Sequence, residues 1–184
     1  MKSTLILTAA ALALLSACGS MKPMPPMQPM FSQAALPDAV KVPAGQKVAL
    51  ETVGVGEITY ECREKQAAAG QFEWAFVGPN AVLNDRAGKA VGKYYGPPAT
   101  GEARDSSKVS GAQVAIAPST AGNIPLQLVK ANPAMGQGAM TGVSYIQRVA
   151  TQGGVAPASA CGMDTKGKKE IVKYQADYIF WAAM

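Results

Sequence analysis

From Val48 onward the apolar residues recur at every second position, and Gly or Pro breaks each run after a short interval. That period is the signature of half-buried strands, in which successive side chains point to opposite faces. In "EITYECRE", Ile58, Tyr60 and Cys62 share one face, and Glu57, Thr59, Glu61 and Arg63 share the other. "QFEWAFVGP" places Phe72, Trp74 and Phe76 together and is expected to end at Gly78-Pro79. "GAQVAIAPS" alternates Ala112, Val114 and Ile116 with Gln113 and Ala115, and "IPLQLVK" groups Leu126 with Leu128. "VSYIQRVAT" is strand-like, and "EIVKYQADYIFWAA" sets Val172, Tyr174, Ala176, Tyr178 and Phe180 on one face. With 19 Gly and 13 Pro, the chain has too many breakers for a helical bundle. The expectation is one all-β domain over residues 47–184, a sandwich or barrel-like fold of about 8–10 short strands.

The first twenty residues, "MKSTLILTAAALALLSACGS", are an address rather than part of that fold. Lys2 precedes an apolar run from Leu5 to Leu15, which is shorter than the roughly 20 residues a membrane span needs. Leu15-Ser16-Ala17-Cys18 resembles a bacterial lipobox. The resemblance implies a signal peptide over residues 1–17, diacylglyceryl transfer to the Cys18 thiol, and N-acylation with a fatty acid such as palmitate. Gly19 rather than Asp follows, which resembles an outer-membrane address, on either face. Loss of Lys2 leaves 16 basic against 12 acidic residues, a mature charge of +4.

Cysteine parity fits this reading. Of three Cys, a lipidated Cys18 leaves Cys62 and Cys161 as one pair, expected to be a disulfide in an oxidising compartment. Such a bond closes a loop of about 100 residues and is worth roughly 4–5 kcal/mol in the chain-entropy model. A two-Cys soft-metal site is the weaker alternative.

Residues 18–46 read as a disordered, lipidated tether rich in Met and Pro. In "MKPMPPMQPM", Met21, Met24, Met27 and Met30 form one stripe on a polyproline II helix, about 9 Å apart. Thioether sulfurs would suit Cu(I), but the spacing does not converge on one ion, so the stripe reads first as a stiff spacer. No metal or other cofactor is expected.

The absence of His removes Ser-His-Asp and Cys-His catalysis and His-ligated zinc. No recognisable catalytic motif remains, and the chain is not expected to be an enzyme. The alternative is glycan hydrolysis by carboxylates, for which Glu61 and Glu73 on neighbouring strands are the candidates. The basic residues are scattered, with Lys166, Lys168 and Lys169 the one cluster, so a nucleic-acid partner is not expected. The expected partners are the membrane, through the lipid, and an envelope glycan or protein.

Two surfaces are candidates for binding. Tyr94 and Tyr95 are adjacent on a strand, so one of them points outward. They precede an irregular loop, "GPPATGEARDSSKVSG", which offers Arg104, Asp105 and Lys108. Gln147 and Arg148 lie beside the Gly153-Gly154 turn, where Arg offers a planar donor fork to a carboxylate or sugar. Alternatively, Arg148 only pairs with a neighbouring strand.

"GEITYEC", "FEWAFVGPNAVLND", "GKAVGKYYGPP", "VSYIQRVATQGGVAPASAC" and "VKYQADYIFW" occur in that order. Together they resemble a secreted family of bacteria and fungi catalogued as domain of unknown function 3455, over about residues 48–182. The most specific piece is "IQRVATQGGVAPASAC". The family pattern has a His before Tyr-Gly-Pro and a Trp after it, where this chain has Lys93 to Tyr95 and Ala99-Thr100. Its Asp-Gly-Ser is Asp105-Ser106-Ser107 here, and its "IPWLLL"-like strand is "IPLQLV". The resemblance implies a secreted domain and no particular reaction. A fainter likeness, "ITYEC" and "VSGAQV", is to small β-barrel inhibitors of lysozyme that present a Ser-Gly loop.

Overall fold

A computed structural model describes residues 31–184. The alternating segments become eight antiparallel strands: β1 (Gln46–Glu64), β2 (Phe72–Asn84), β3 (Ala90–Tyr95), β4 (Thr100–Ala103), β5 (Lys108–Ala117), β6 (Leu126–Ala131), β7 (Val143–Gly153) and β8 (Lys169–Ala183). Each strand pairs with the next, and β1 pairs with β8 from Gln46↔Ala183 to Glu61↔Lys169, so the sheet closes into an up-and-down barrel. Closure leaves no sheet edge along the β1–β8 seam. The barrel form thus replaces the choice between sandwich and barrel. Cys18 and the four Met of the stripe lie outside the described residues.

Two apolar clusters lie on opposite sides of one wall. Inside, Ile58, Leu83, Tyr94, Val109, Met140, Ile146, Tyr178 and Phe180 fill the barrel. Outside, Val149, Ile179, Trp181 and Leu128 are covered by Val40 and Val42, with Phe31 and Leu36 packed against them. Residues 31–45, expected to belong to a disordered tether, are therefore ordered against the barrel wall. Residues 31–45 form a strap on β6–β8, with a 3-10 turn at Asp38–Val40. Its apolar residues follow no strand or helix period, which hid it in the sequence.

Other expectations need correction. β2 does not end at Gly78-Pro79 but runs on to Asn84. The missing Pro79 N–H is tolerated there because β2 pairs with β3 only from Asn80 onward. The loop expected after Tyr95 holds β4 and the start of β5. Val114 and Ile116 are more than half exposed, and a register shift between Gln113 and Ala115 breaks the alternation expected there. Phe76 is 53% exposed, at the barrel rim.

Cys62 and Cys161 are disulfide-bonded, with Cα atoms 5.5 Å apart. The bond pins the β7–β8 connection to the tall end of β1. At the opposite end the Asp105 carboxylate accepts from Ser107 Oγ (2.6 Å) and from the Ala139 N–H (2.7 Å), tying the β4–β5 turn to the β6–β7 loop. Met140 of that loop is fully buried and plugs this end.

Candidate functional site

The other end of the barrel is open. Arg148 on β7 is the Cα partner of Gln127 on β6, so both side chains share a face. Arg148 lines a cavity of about 100 Å3 with Tyr94, Tyr174 and Tyr178, while Ile58, Phe76 and Ile124 supply apolar wall. The β5–β6 loop forms one lip. Thr151 Oγ1 donates to the Ile124 carbonyl (2.7 Å), and the Ile124 N–H donates to the Gly153 carbonyl (2.9 Å). These bonds set the Pro125 carbonyl over Arg148, which donates to it from Nη2 (2.9 Å) and Nε (3.3 Å). Gly154 completes the lip at φ +81, where a Cβ would meet Tyr174 Cβ at 2.9 Å and Ile58 Cδ1 at 3.1 Å. No other residue fits that approach.

Four phenols lie behind the guanidinium. Tyr60 Oη donates to the Gly154 carbonyl (2.8 Å), the Tyr174 and Tyr178 hydroxyls are 3.0 Å apart, and the Tyr94 and Tyr178 rings sit 4.2 Å apart. Burial pushes the Tyr94 hydroxyl up to about 12 and that of Tyr178 well above its ordinary range. Burial raises Tyr60 and Tyr174 as well, while the charge of Arg148 pulls all four the other way. At neutral pH the phenols are uncharged, and no ion pair involves Arg148 among the described residues. The mouth therefore carries one positive charge without a carboxylate beside it.

The residues singled out in the sequence fall in four places. Tyr94 and Arg148 meet at the mouth. Tyr95 points outward, and its hydroxyl donates to Glu102 (2.8 Å), whose other partners are Lys93 and Lys108, each at 3.3 Å. Arg104 is exposed near this cluster, whereas Asp105 is consumed by the turn it holds together. Gln147 is on neither a strand edge nor a surface. It faces outward beneath the strap, fully buried, with its amide spent on the Val40 carbonyl, Gln33 and Trp181. Arg148 and Gln147 are neighbours in sequence on opposite faces of β7.

Glu61 is held by Arg63 (3.0 Å) on the outer wall, and Glu73 is exposed opposite Arg63 in register. Lys166, Lys168 and Lys169 each have a carboxylate within reach: Glu64, Glu170 and Glu61. Ser110-Gly111 lies inside β5, paired with β4 and β6, so it is not the protruding Ser-Gly loop of the lysozyme-inhibitor likeness. A larger concavity of about 540 Å3 runs along the outer wall past Val55, Val82, Glu57 and Lys173. There Glu57 and Lys173 oppose each other in register, so its charges balance.

Sequence reasoning missed Phe76, Ile124, Gln127, Tyr174 and Tyr178 as mouth residues. Only the inward face of the tyrosine ladder, Tyr174 and Tyr178 at i and i+4 of one strand, hinted at a phenolic interior.

The fold and mouth define a class: a small antiparallel barrel, plugged at one end and presenting a cationic, phenol-lined opening at the other. The chain belongs to the family described as Protein of unknown function (DUF3455), whose model matches residues 43–182. No curated protein and no solved structure matches it.

Proposed function

We propose that this protein is a lipid-anchored binding module of the bacterial outer envelope, tethered through Cys18, with the barrel mouth as its ligand port. The observation that carries the binding role is the open mouth, where the Arg148 charge faces neutral phenols instead of a carboxylate. A cation left this way in a half-enclosed site is poorly compensated unless a ligand joins it. Anchoring rests on the lipobox-like "LSAC" and on cysteine parity, since the Cys62–Cys161 bond leaves Cys18 as the remaining thiol. The partners are the membrane through the lipid and a small envelope-derived molecule at the mouth.

Two measurements test this. Non-reducing intact mass of the membrane-fraction protein is expected to show a chain beginning at Cys18 with an acyl increment, and Cys18→Ala is expected to lose the increment and leave the membrane. An unacylated wild-type chain would remove the anchor. A thermal-shift panel of envelope metabolites and glycan fragments is expected to stabilise the wild type but not Ala99→Trp, which fills the rim. A ligand at 100 times its Kd adds about 2.7 kcal/mol. Equal shifts in both proteins would place binding elsewhere.

A further inference from the structure

The mouth carries enough chemistry to name the kind of ligand. Arg148 gives both of its described hydrogen bonds to one acceptor, the Pro125 carbonyl, through Nε and one Nη2 hydrogen. A guanidinium has five N–H donors, so Nη1 and the second Nη2 hydrogen are left over. Tyr94 Oη has no hydrogen-bond partner among the described residues. The side-chain oxygens and nitrogens fully buried there all have partners, so this hydroxyl is open to the cavity it lines. Unspent donors on two strands, β7 and β3, thus border one space. The opposite walls, Ile58, Phe76, Pro79 and Ile124, offer nothing to a polar group.

We propose that the mouth binds a small monocarboxylate with a compact apolar body, its carboxylate accepting from the Arg148 guanidinium and the Tyr94 hydroxyl. The inference rests on the mouth being a binding site, as argued above, and adds the ligand's charge and size. Charge favours an acid, because it supplies the missing counter-ion and the planar fork of Arg matches a carboxylate. Size limits the body. A closed apolar cavity of ~150 Å3 takes a benzene ring, so about 100 Å3 opening at a rim takes one ring or a short branched chain with part of it outside. Phe76, 53% exposed at that rim and edge-on to Tyr60 at 6.0 Å, provides a face for the protruding part. Inorganic phosphate would satisfy the charge and leave the apolar walls unused.

The test uses the folded, disulfide-bonded chain, with benzoate, benzamide and inorganic phosphate as probes in calorimetric titration. Benzoate is expected to bind, with benzamide and phosphate weaker by at least tenfold. Arg148→Gln is expected to weaken benzoate about 10- to 100-fold, Arg148→Lys less, and Tyr94→Phe several-fold, in line with charged and neutral hydrogen bonds. Benzamide binding as well as benzoate would keep the mouth as a site but overturn the acid. Phosphate matching benzoate would overturn the apolar body. No binding of any probe would overturn this inference, while the port itself stands or falls by the metabolite panel compared between wild type and Ala99→Trp. The wild-type contrast between benzoate and benzamide decides the matter even where Arg148→Gln fails to fold.

Discussion

Replacing Gln147 by Met should be among the most damaging single changes to this protein outside the apolar core. The side chain is fully buried between the barrel wall and the strap. Its Nε2 donates to the Val40 carbonyl (2.6 Å) and to Gln33 Oε1 (3.1 Å), and its Oε1 accepts from Trp181 Nε1 (2.8 Å). Met nearly conserves length and volume, so cavity terms stay small and the polar terms dominate. The indole N–H of Trp181 and the carbonyl of Val40 lose their partner in a dry site, at roughly 1–3 kcal/mol each. Better burial of the thioether returns about 1 kcal/mol. The net expectation is a loss of about 1–5 kcal/mol, a large part of the 5–15 kcal/mol that a domain usually has.

The loss has two routes. If strap and barrel unfold together, the urea midpoint falls with the slope unchanged. If the strap peels away first, Trp181 becomes wet, and limited proteolysis cuts within residues 31–45 while the barrel stays folded. Tryptophan fluorescence and far-UV circular dichroism, followed in parallel, separate the two. Gln33→Met supplies a cross-check, because Gln33 also holds the Val42 N–H (2.8 Å) and the Val42 carbonyl (3.0 Å). The double-mutant coupling should be about 0.5–3 kcal/mol, as for residues in one network. A Gln147→Met protein within 0.5 kcal/mol of wild type, with a strap no easier to cleave, would refute this account of the outer cluster.

Three further outcomes are expected. Cys62→Ala with Cys161→Ala, which opens a loop with a sequence separation of 99, should lower stability by roughly 4–5 kcal/mol in urea titration, and a cost below 1 kcal/mol would contradict the loop-entropy account. Gly54→Ala would place a Cβ 2.6 Å from Cε2 of the buried Tyr178 ring, so thermal melts should show a loss of about 1–3 kcal/mol, and an unchanged melt would mean that the ring has room to move. The tyrosine cluster should make stability fall above pH 10. Folded-state values above the unfolded 10 mean that the native chain holds more protons between the two, so stability is complete below pH 10 and is lost as pH rises, with Tyr94 alone removing about 2–3 kcal/mol by pH 12. Urea midpoints that stay constant from pH 8 to pH 11.5 would remove that contribution.

Much of the barrel was legible because its strands are wet on one side. β8 is the clearest case, with Tyr174, Ala176 and Tyr178 inside and Lys173, Gln175 and Asp177 outside. β7 was not legible in the same way. Its two faces are both covered, one by the barrel interior through Ile146 and the other by the strap through Gln147 and Val149. Polarity then cannot say whether Arg148 or Gln147 looks into the barrel, and the register of β7 on β8, with Arg148 opposite Tyr178 and Gln147 opposite Ile179, settles it. The disulfide was accessible from cysteine parity once Cys18 was set aside for the lipid. The split of Tyr94 and Tyr95 between the inside and Glu102 followed from adjacency, whereas the pairing of Tyr94 with Arg148 needed the register of strands far apart in the chain.

The placement of the mouth follows from unequal strand lengths. β1, β2 and β8 run 19, 13 and 15 residues, whereas β3, β4 and β6 run six, four and six. A barrel built this way has a tall wall and a low wall. On the tall side β1 and β2 continue past the closed barrel and carry Tyr60, Phe76 and the disulfide that anchors the β7–β8 connection. On the low side the β3–β4 and β5–β6 turns bring Ala99, Ile124 and the Pro125 carbonyl level with the middle of the tall wall. A cavity therefore opens sideways beneath the tall wall, and Arg148, on the strand between the two sides, is the charged group that reaches it. Rigidity comes from elsewhere: the strap, the Met140 plug and the Asp105 bracket act at the other end or on the outer wall. Changes confined to Arg148 and Ala99 should consequently alter what the mouth holds far more than whether the barrel folds.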